Sequence, residues 1–232
     1  MRRLTLLLLA AALAGCGGKG AAPPPPAPPT TTTTHRVPVS PPPMTLTVFR
    51  AGGGRLRAEA VHVPRTRQVA AAALGALGVA GTVRIGGGTA TVTTQGAPSD
   101  ARVAEIVYTL TQFPAVQRVD VAGRTGLTRD DVAAYLPPIL VESPPDGGSV
   151  PQTFHVSGTA SVFEATLVVR LVRGGSELSK QTVTASEGAP GRGTFDAVAH
   201  ASPGPIQVQV YAPSAANGDP QHEVDVRVTV TP

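Results

Sequence analysis

Metal binding, phosphate transfer and acyl chemistry each need particular side chains at particular spacings, and this 232-residue chain offers few of them. Its five histidines, His35, His62, His155, His200 and His222, are scattered, with no His-x-x-x-His pair, and Cys16 is the sole cysteine. The ligand spacing of a zinc site is therefore missing. Gly52-Gly53-Gly54 and Gly86-Gly87-Gly88 lack a following Gly-Lys-Ser/Thr, so they read as turns rather than phosphate loops. Serines are plentiful, but neither Gly-x-Ser-x-Gly nor Ser-x-x-Lys occurs. Asp130 and Asp131 are adjacent, and sequence neighbours do not share a helix face, so they suit capping better than paired acid–base work. The expectation is a protein without catalytic residues, bound metal or cofactor.

Charge leaves a different kind of candidate. Residues 45–137 carry ten basic and six acidic side chains, and residues 138–232 carry five and nine, giving about +4 and −4. Arg55, Arg57, Arg65 and Arg67 supply much of the positive side. These four are candidate partner-binding residues, facing an anionic wall polymer or docking on the acidic neighbour; the alternative is a pair of solvated surfaces. Glu164 falls in an alternating run, Phe163-Glu164-Ala165, that predicts a strand through residue 173. There it is either an ordinary solvent-facing acid or a group that pairs with Arg170 or Arg192 or binds a partner.

A nucleic-acid partner is excluded, because it wants a clustered basic face with stacking aromatics, and aromatics are 3% of the chain with tryptophan absent. Location argues the same way. Arg2 and Arg3 precede an apolar run over residues 4–14, too short for the roughly 20 residues that span a bilayer, followed by small residues. That layout predicts a secretory signal over residues 1–15. Leu13-Ala14-Gly15-Cys16 resembles the lipobox of bacterial lipoproteins. The resemblance implies that the Cys16 sulfur is diacylated and becomes the new N-terminus, holding the protein to membrane lipid on the outer face of the cell membrane. The alternative is cleavage after Ala12-Leu13-Ala14, which leaves a secreted protein with a free thiol. Removing Arg2 and Arg3 leaves 17 basic against 15 acidic groups, so the exported chain is barely basic.

The elements that position these residues start late. Residues 16–43 are Pro, Thr and Gly in long runs, with no apolar periodicity, and predict a disordered stalk. At about 3.1 Å per residue of polyproline II, it reaches on the order of 80 Å. Residues 44–136 predict an α+β domain with helices on one face of a sheet. Its strands fall near residues 45–50, 57–63, 82–85, 89–94 and 116–121. An alanine-rich helix over 68–77 and a second from Pro98-Ser99 to Phe113-Pro114, with Val103, Ile106, Val107 and Leu110 on one face, complete it. Thr128-Arg129-Asp130-Asp131 has capping-box spacing before a short helix. Residues 137–232 hold about seven short strands bounded by Gly, Pro, Ser or Asp, an all-β sandwich. No second cysteine exists for a disulfide, so aliphatic packing must hold each domain.

Two stretches resemble known families. Residues 106–116, containing Thr109-Leu110-Thr111-Gln112-Phe113-Pro114, followed by Val119-Asp120-Val121 and Gly123, resemble the second helix and final strand of the GerMN sporulation and spore-germination domain. Leu136-Pro137-Pro138-Ile139-Leu140-Val141-Glu142-Ser143-Pro144 resembles the opening of the immunoglobulin-like domain of bacterial spore germination. Residues 156–165 and Gly191-Arg192-Gly193-Thr194-Phe195 continue that second likeness. Together they imply a lipoprotein carrying a GerMN-like α+β domain and an immunoglobulin-like sandwich. They imply no defined reaction. The expected role is recognition or scaffolding toward an envelope protein or cell-wall polymer, in envelope assembly, sporulation or spore germination. A modulator of a membrane sensor kinase is the second reading, and a wall-modifying enzyme a distant third.

Overall fold

A computed structural model describes residues 42–232. The predicted leader over 1–15, Cys16 with Leu13, Ala14 and Gly15, and all but the last two residues of the predicted stalk lie outside the described residues. The described residues form a single unit that holds two hydrophobic cores.

The first core is built from β1 (Met44–Gly52), β2 (Arg55–Val63), α1 (Val69–Ala76), β3 (Gly81–Gly86), β4 (Thr89–Thr94), α2 (Asp100–Leu110), β5 (Arg118–Val121) and β6 (Arg124–Leu127). β1 and β2 form a hairpin whose turn residues Gly53 and Gly54 sit at φ +60° and +78°, where a side chain would be strained. The other strands run in the order β3-β4-β5-β6, with β4 and β5 parallel across the α2 crossover. The expected single sheet is therefore corrected to two, while α1 and α2 pack with the core-facing residues of β4 and β5. The strands divide into a two-stranded and a four-stranded sheet, and α2 packs against both β1 and β5.

The reason lies in α2. Ser99 caps it, accepting from the Arg102 amide, and Val103, Ile106, Val107 and Leu110 are fully buried as their spacing predicts. Yet Glu105 and Thr109 are buried as well. Glu105 Oε1 accepts from the Ala51 amide at 2.7 Å, Thr109 Oγ1 accepts from the Phe49 amide at 2.9 Å, and Gln112 Nε2 donates to the Thr47 carbonyl at 2.9 Å. Helix steps of four and three residues advance about 6 and 4.5 Å, close to the roughly 6.6 Å of two strand residues. A stripe of polar side chains thus seals the edge of β1 that β2 leaves free, and no further strand can add there.

The second core is a sandwich. β7 (Ile139–Ser143), β8 (Gly148–Val150), β9 (Thr153–Ala160), β10 (Thr166–Arg173), β11 (Ser176–Thr184), β12 (Gly193–His200), β13 (Gly204–Pro213) and β14 (Pro220–Val230) make two sheets, ordered β11-β10-β13-β14-β8 and β12-β9-β7. Inward residues of both meet: Phe154, Val156, Phe195 and Ala197 from one, Leu167, Val169, Val208 and Val228 from the other. Each such aliphatic side chain contributes roughly 1.5–3 kcal/mol when fully buried. The valines predicted for one face of the last strand, Val224, Val226, Val228 and Val230, all pack on this core.

One predicted strand starts too early. Phe163–Ala165 is a 3-10 turn, with Phe163 69% exposed, and β10 begins at Thr166. Here the chain crosses from the three-stranded sheet to the five-stranded one. The amide of Ala165 donates to the Val162 carbonyl, and Val162 and Ala165 are buried instead of Phe163. Periodicity carries no mark of such a corner.

Candidate functional site

The four candidate arginines do not form one patch. Arg55 and Arg57 share the exposed face of β2, on either side of buried Leu56. Arg55 Nη1 donates to the carbonyls of Ala134 and Leu136 at 2.8 and 2.9 Å, so its charge closes the short 3-10 helix over Asp130–Tyr135. Arg55 and Arg57 line a cleft of about 310 Å³ together with Asp146, Glu223 and Asp225. Basic and acidic side chains thus share one cleft. Arg65 and Arg67 sit apart, exposed on the connection from β2 to α1.

Of these acidic residues, Asp146 is the one tied to both layers. Its main chain joins β2: the Ala60 amide donates to Asp146 O at 2.8 Å, and the Asp146 amide donates to Ala58 O at 3.0 Å. Its carboxylate accepts from Arg227 Nε at 3.1 Å and Nη2 at 2.7 Å. The Arg227 hydrogen bonds hold the carboxyl below the usual aspartate range. One residue thereby fastens the hairpin to the sandwich.

A second fastening lies at the end of α2. Arg129 Nη1 donates to both carboxylate oxygens of Glu142 at 2.9 and 3.1 Å, and its Nε donates to Thr111 Oγ1 at 3.0 Å. The guanidinium carbon stands 4.5 Å from the Tyr108 ring centroid and 5.9 Å from that of Phe49. Arg192 reaches the same region, donating to the Pro137 carbonyl at 2.6 Å and to Thr159 Oγ1 at 3.1 Å. Burial pushes the Tyr108 phenol up to about 12, against the opposing pull of Arg129, and burial lowers Arg192. These groups are held by one another, an arrangement that orients two layers.

Glu164 is not in a strand. It occupies the 3-10 turn at φ +53°, and the expected partners are engaged elsewhere: Arg170 donates to Gln209 and stands 5.5 Å from the Tyr211 ring, and Arg192 binds as above. Among the described residues no group of three His, Cys, Asp or Glu side chains is placed to hold a metal ion. Asp131 accepts from the Thr128 amide and hydroxyl at 2.8 Å, as capping predicts, and the amide hydrogen bond lowers its pKa.

An open surface remains between α1 and β3. A groove of about 760 Å³ is lined by Arg67, Val69, Ala70, residues 81–85 and Phe113. Val83 and Ile85 pair with the core-facing Val92 and Ala90 of β4, so they point to the helix side of the sheet. The neighbouring helix is eight residues long and mostly alanine, too slight to cover them, and Ile85 stays 43% exposed. Sequence reasoning named Arg67 here and missed Arg84 and Ile85, because nothing in a six-residue strand tells how much helix will lie over it.

The geometry can be set beside known proteins. Residues 138–219 match the family model described as the immunoglobulin-like domain of bacterial spore germination. The matched segment holds β7 to β13, with Glu142 and the Arg192 tether, and stops short of the last sandwich strand, β14. Two glycines of the quoted motifs are explained by close approach: a Cβ on Gly158 would stand 1.9 Å from the Leu140 carbonyl oxygen, and one on Gly193 would stand 2.2 Å from the Glu187 amide nitrogen. A search of the curated proteins finds no match. Among solved structures, an engineered protein is similar at 13% identity and a TM-score of 0.29, over 58% of this chain and 37% of its own. The chain thus spans little more than a third of that protein.

Proposed function

We propose that this protein is a lipid-anchored recognition and scaffold component of the cell envelope, working in spore germination or a related envelope process. The observation that carries the reading is the match of residues 138–219 to the immunoglobulin-like domain of bacterial spore germination, downstream of Leu13-Ala14-Gly15-Cys16. In this reading the signal is removed, Cys16 is acylated, and the folded part stands off the outer face of the membrane. Residues 44–136 act as a GerMN-like domain. In support, the polar side chains of the Thr109-Leu110-Thr111-Gln112 run face β1 and Arg129 rather than solvent. The protein works by binding an envelope protein or wall polymer, without turnover.

Mass spectrometry of the native N-terminus tests the anchor: a diacylated Cys16 is expected, and an unmodified thiol overturns it. Crosslinking on whole cells tests recognition, with Cys16→Ser as control. Envelope partners are expected with the anchored form and should be lost when Cys16→Ser releases the protein. Turnover of purified peptidoglycan would overturn the non-enzymatic reading.

A further inference from the structure

The edge of β1 is sealed by α2, but the edge of β3 is not. β3 terminates the four-stranded sheet, and among the described residues, 81–86 make no backbone hydrogen bond outside the pairing with β4. Residues 81–85 all line the groove, consecutive residues whose side chains alternate between faces, so the groove follows the strand's edge rather than one face of it. Val69, Val83, Ile85 and Phe113 give it an apolar floor. Arg67 and Arg84 stand exposed on its rim, no acidic side chain lines it, and neither arginine makes an ion pair among the described residues.

We propose that this groove binds an extended acidic peptide segment of a partner protein, added as a strand on β3. The strand's free amides and carbonyls would pair with the peptide backbone, alternate apolar side chains would fill the floor, and the acidic ones would meet Arg67 and Arg84. Six strand residues span roughly 20 Å, which sets the segment at about six residues. A polyanionic wall polymer fits less well. It would satisfy the arginines and leave both the apolar floor and the backbone edge unused. The inference rests on the reading that the folded part recognises a partner, and it names the chemistry of that partner.

The test titrates the full chain carrying Cys16→Ser into a fluorescein-labelled hexapeptide of alternating glutamate and valine. Saturable binding is expected, weakened about tenfold or more by Arg67→Glu with Arg84→Glu and likewise by Ile85→Asp. An N-methylated form of the peptide, unable to pair as a strand, is expected not to bind. Ile85 is 43% exposed, unchanged far-UV circular dichroism is the control that Ile85→Asp keeps the fold, and Ile85→Ser serves as a second variant. Absence of binding, equal binding of a lysine–valine or glutamate–serine hexapeptide, or indifference to these substitutions overturns the proposal. So does sedimentation showing that the chain self-associates through this edge and that Ile85→Asp abolishes it. Envelope crosslinks on whole cells left unchanged by Arg67→Glu with Arg84→Glu would remove this site and leave the recognition reading standing.

Discussion

Gly158 shows how much a single side chain can decide. Its φ lies outside the left-handed region, so backbone conformation does not demand glycine; the 1.9 Å approach of the Leu140 carbonyl does. Both walls of that contact are backbone in paired strands, where β7 and β9 run through a register shift. Gly158→Ala is expected to lower stability by about 3 kcal/mol, read as the urea midpoint. Gly75→Ala, in α1 with nothing within 4 Å, is expected to be neutral or to gain up to about 1 kcal/mol. Tyr108 gives a second residue-level expectation. Its phenol ionises near 12 in the folded protein and near 10 in the unfolded chain, so the unfolded state releases that proton first as pH rises. The stability it contributes is complete below pH 10 and is lost as pH climbs through 12. Absorbance at the phenolate band should show one of the three tyrosines titrating last, together with unfolding.

For elements, what matters is how edges are finished. The polar stripe of α2 costs the helix part of its apolar face and gives β1 a partner that is not a strand. Thr109→Val keeps the shape and adds apolar surface, yet it leaves the Phe49 amide buried without an acceptor. A loss of about 1–3 kcal/mol is expected, with faster hydrogen exchange at Phe49 as the signature that separates it from a packing defect. α1 is the contrary case. It carries no acidic residue in its first turn and no side-chain cap, and its alanines cover little of β3. Its C-terminal carbonyls are finished from outside, by Arg102 donating to Leu77 O at 2.7 Å and by Arg50 donating to Ala76 O.

Over the whole molecule, the two halves are joined by Leu140 of β7, which is buried in the first core, and by charged residues that belong to neither core. Asp146 bonds β2 through its main chain and Arg227 through its carboxylate, and Arg129 bonds Glu142 across from Tyr108. The Asp146 carboxyl is held below its ordinary value, so its contribution is present above the unfolded-state value near 4 and is lost as pH falls through the lowered one. Asp146→Asn is expected to lower the unfolding midpoint at pH 7 and to flatten the acid limb of the stability curve below about pH 4. If the two halves depend on this joint, fluorescence of a label on β3 and circular dichroism should report one transition in the parent and separate transitions in the variant.

Much of this was legible along the chain. Alternating valines identified β14, the apolar spacing of Val103, Ile106, Val107 and Leu110 identified α2, and the turn glycines of β1 and β2 separated their strands. Short-range periodicity records which face of an element is buried, and that is a local property. The break from Pro/Thr-rich chain to alternating apolar residues at Met44 is equally local. What periodicity cannot record is contact between residues far apart in sequence. The division of the first sheet in two, the corner that exposes Phe163, the enlistment of Arg55 by a 3-10 helix and the open edge beside Arg84 each depend on what lies across a gap of tens of residues. Composition and spacing therefore determined the parts and their order, whereas which charges were consumed and which edge stayed free was decided only when the parts packed.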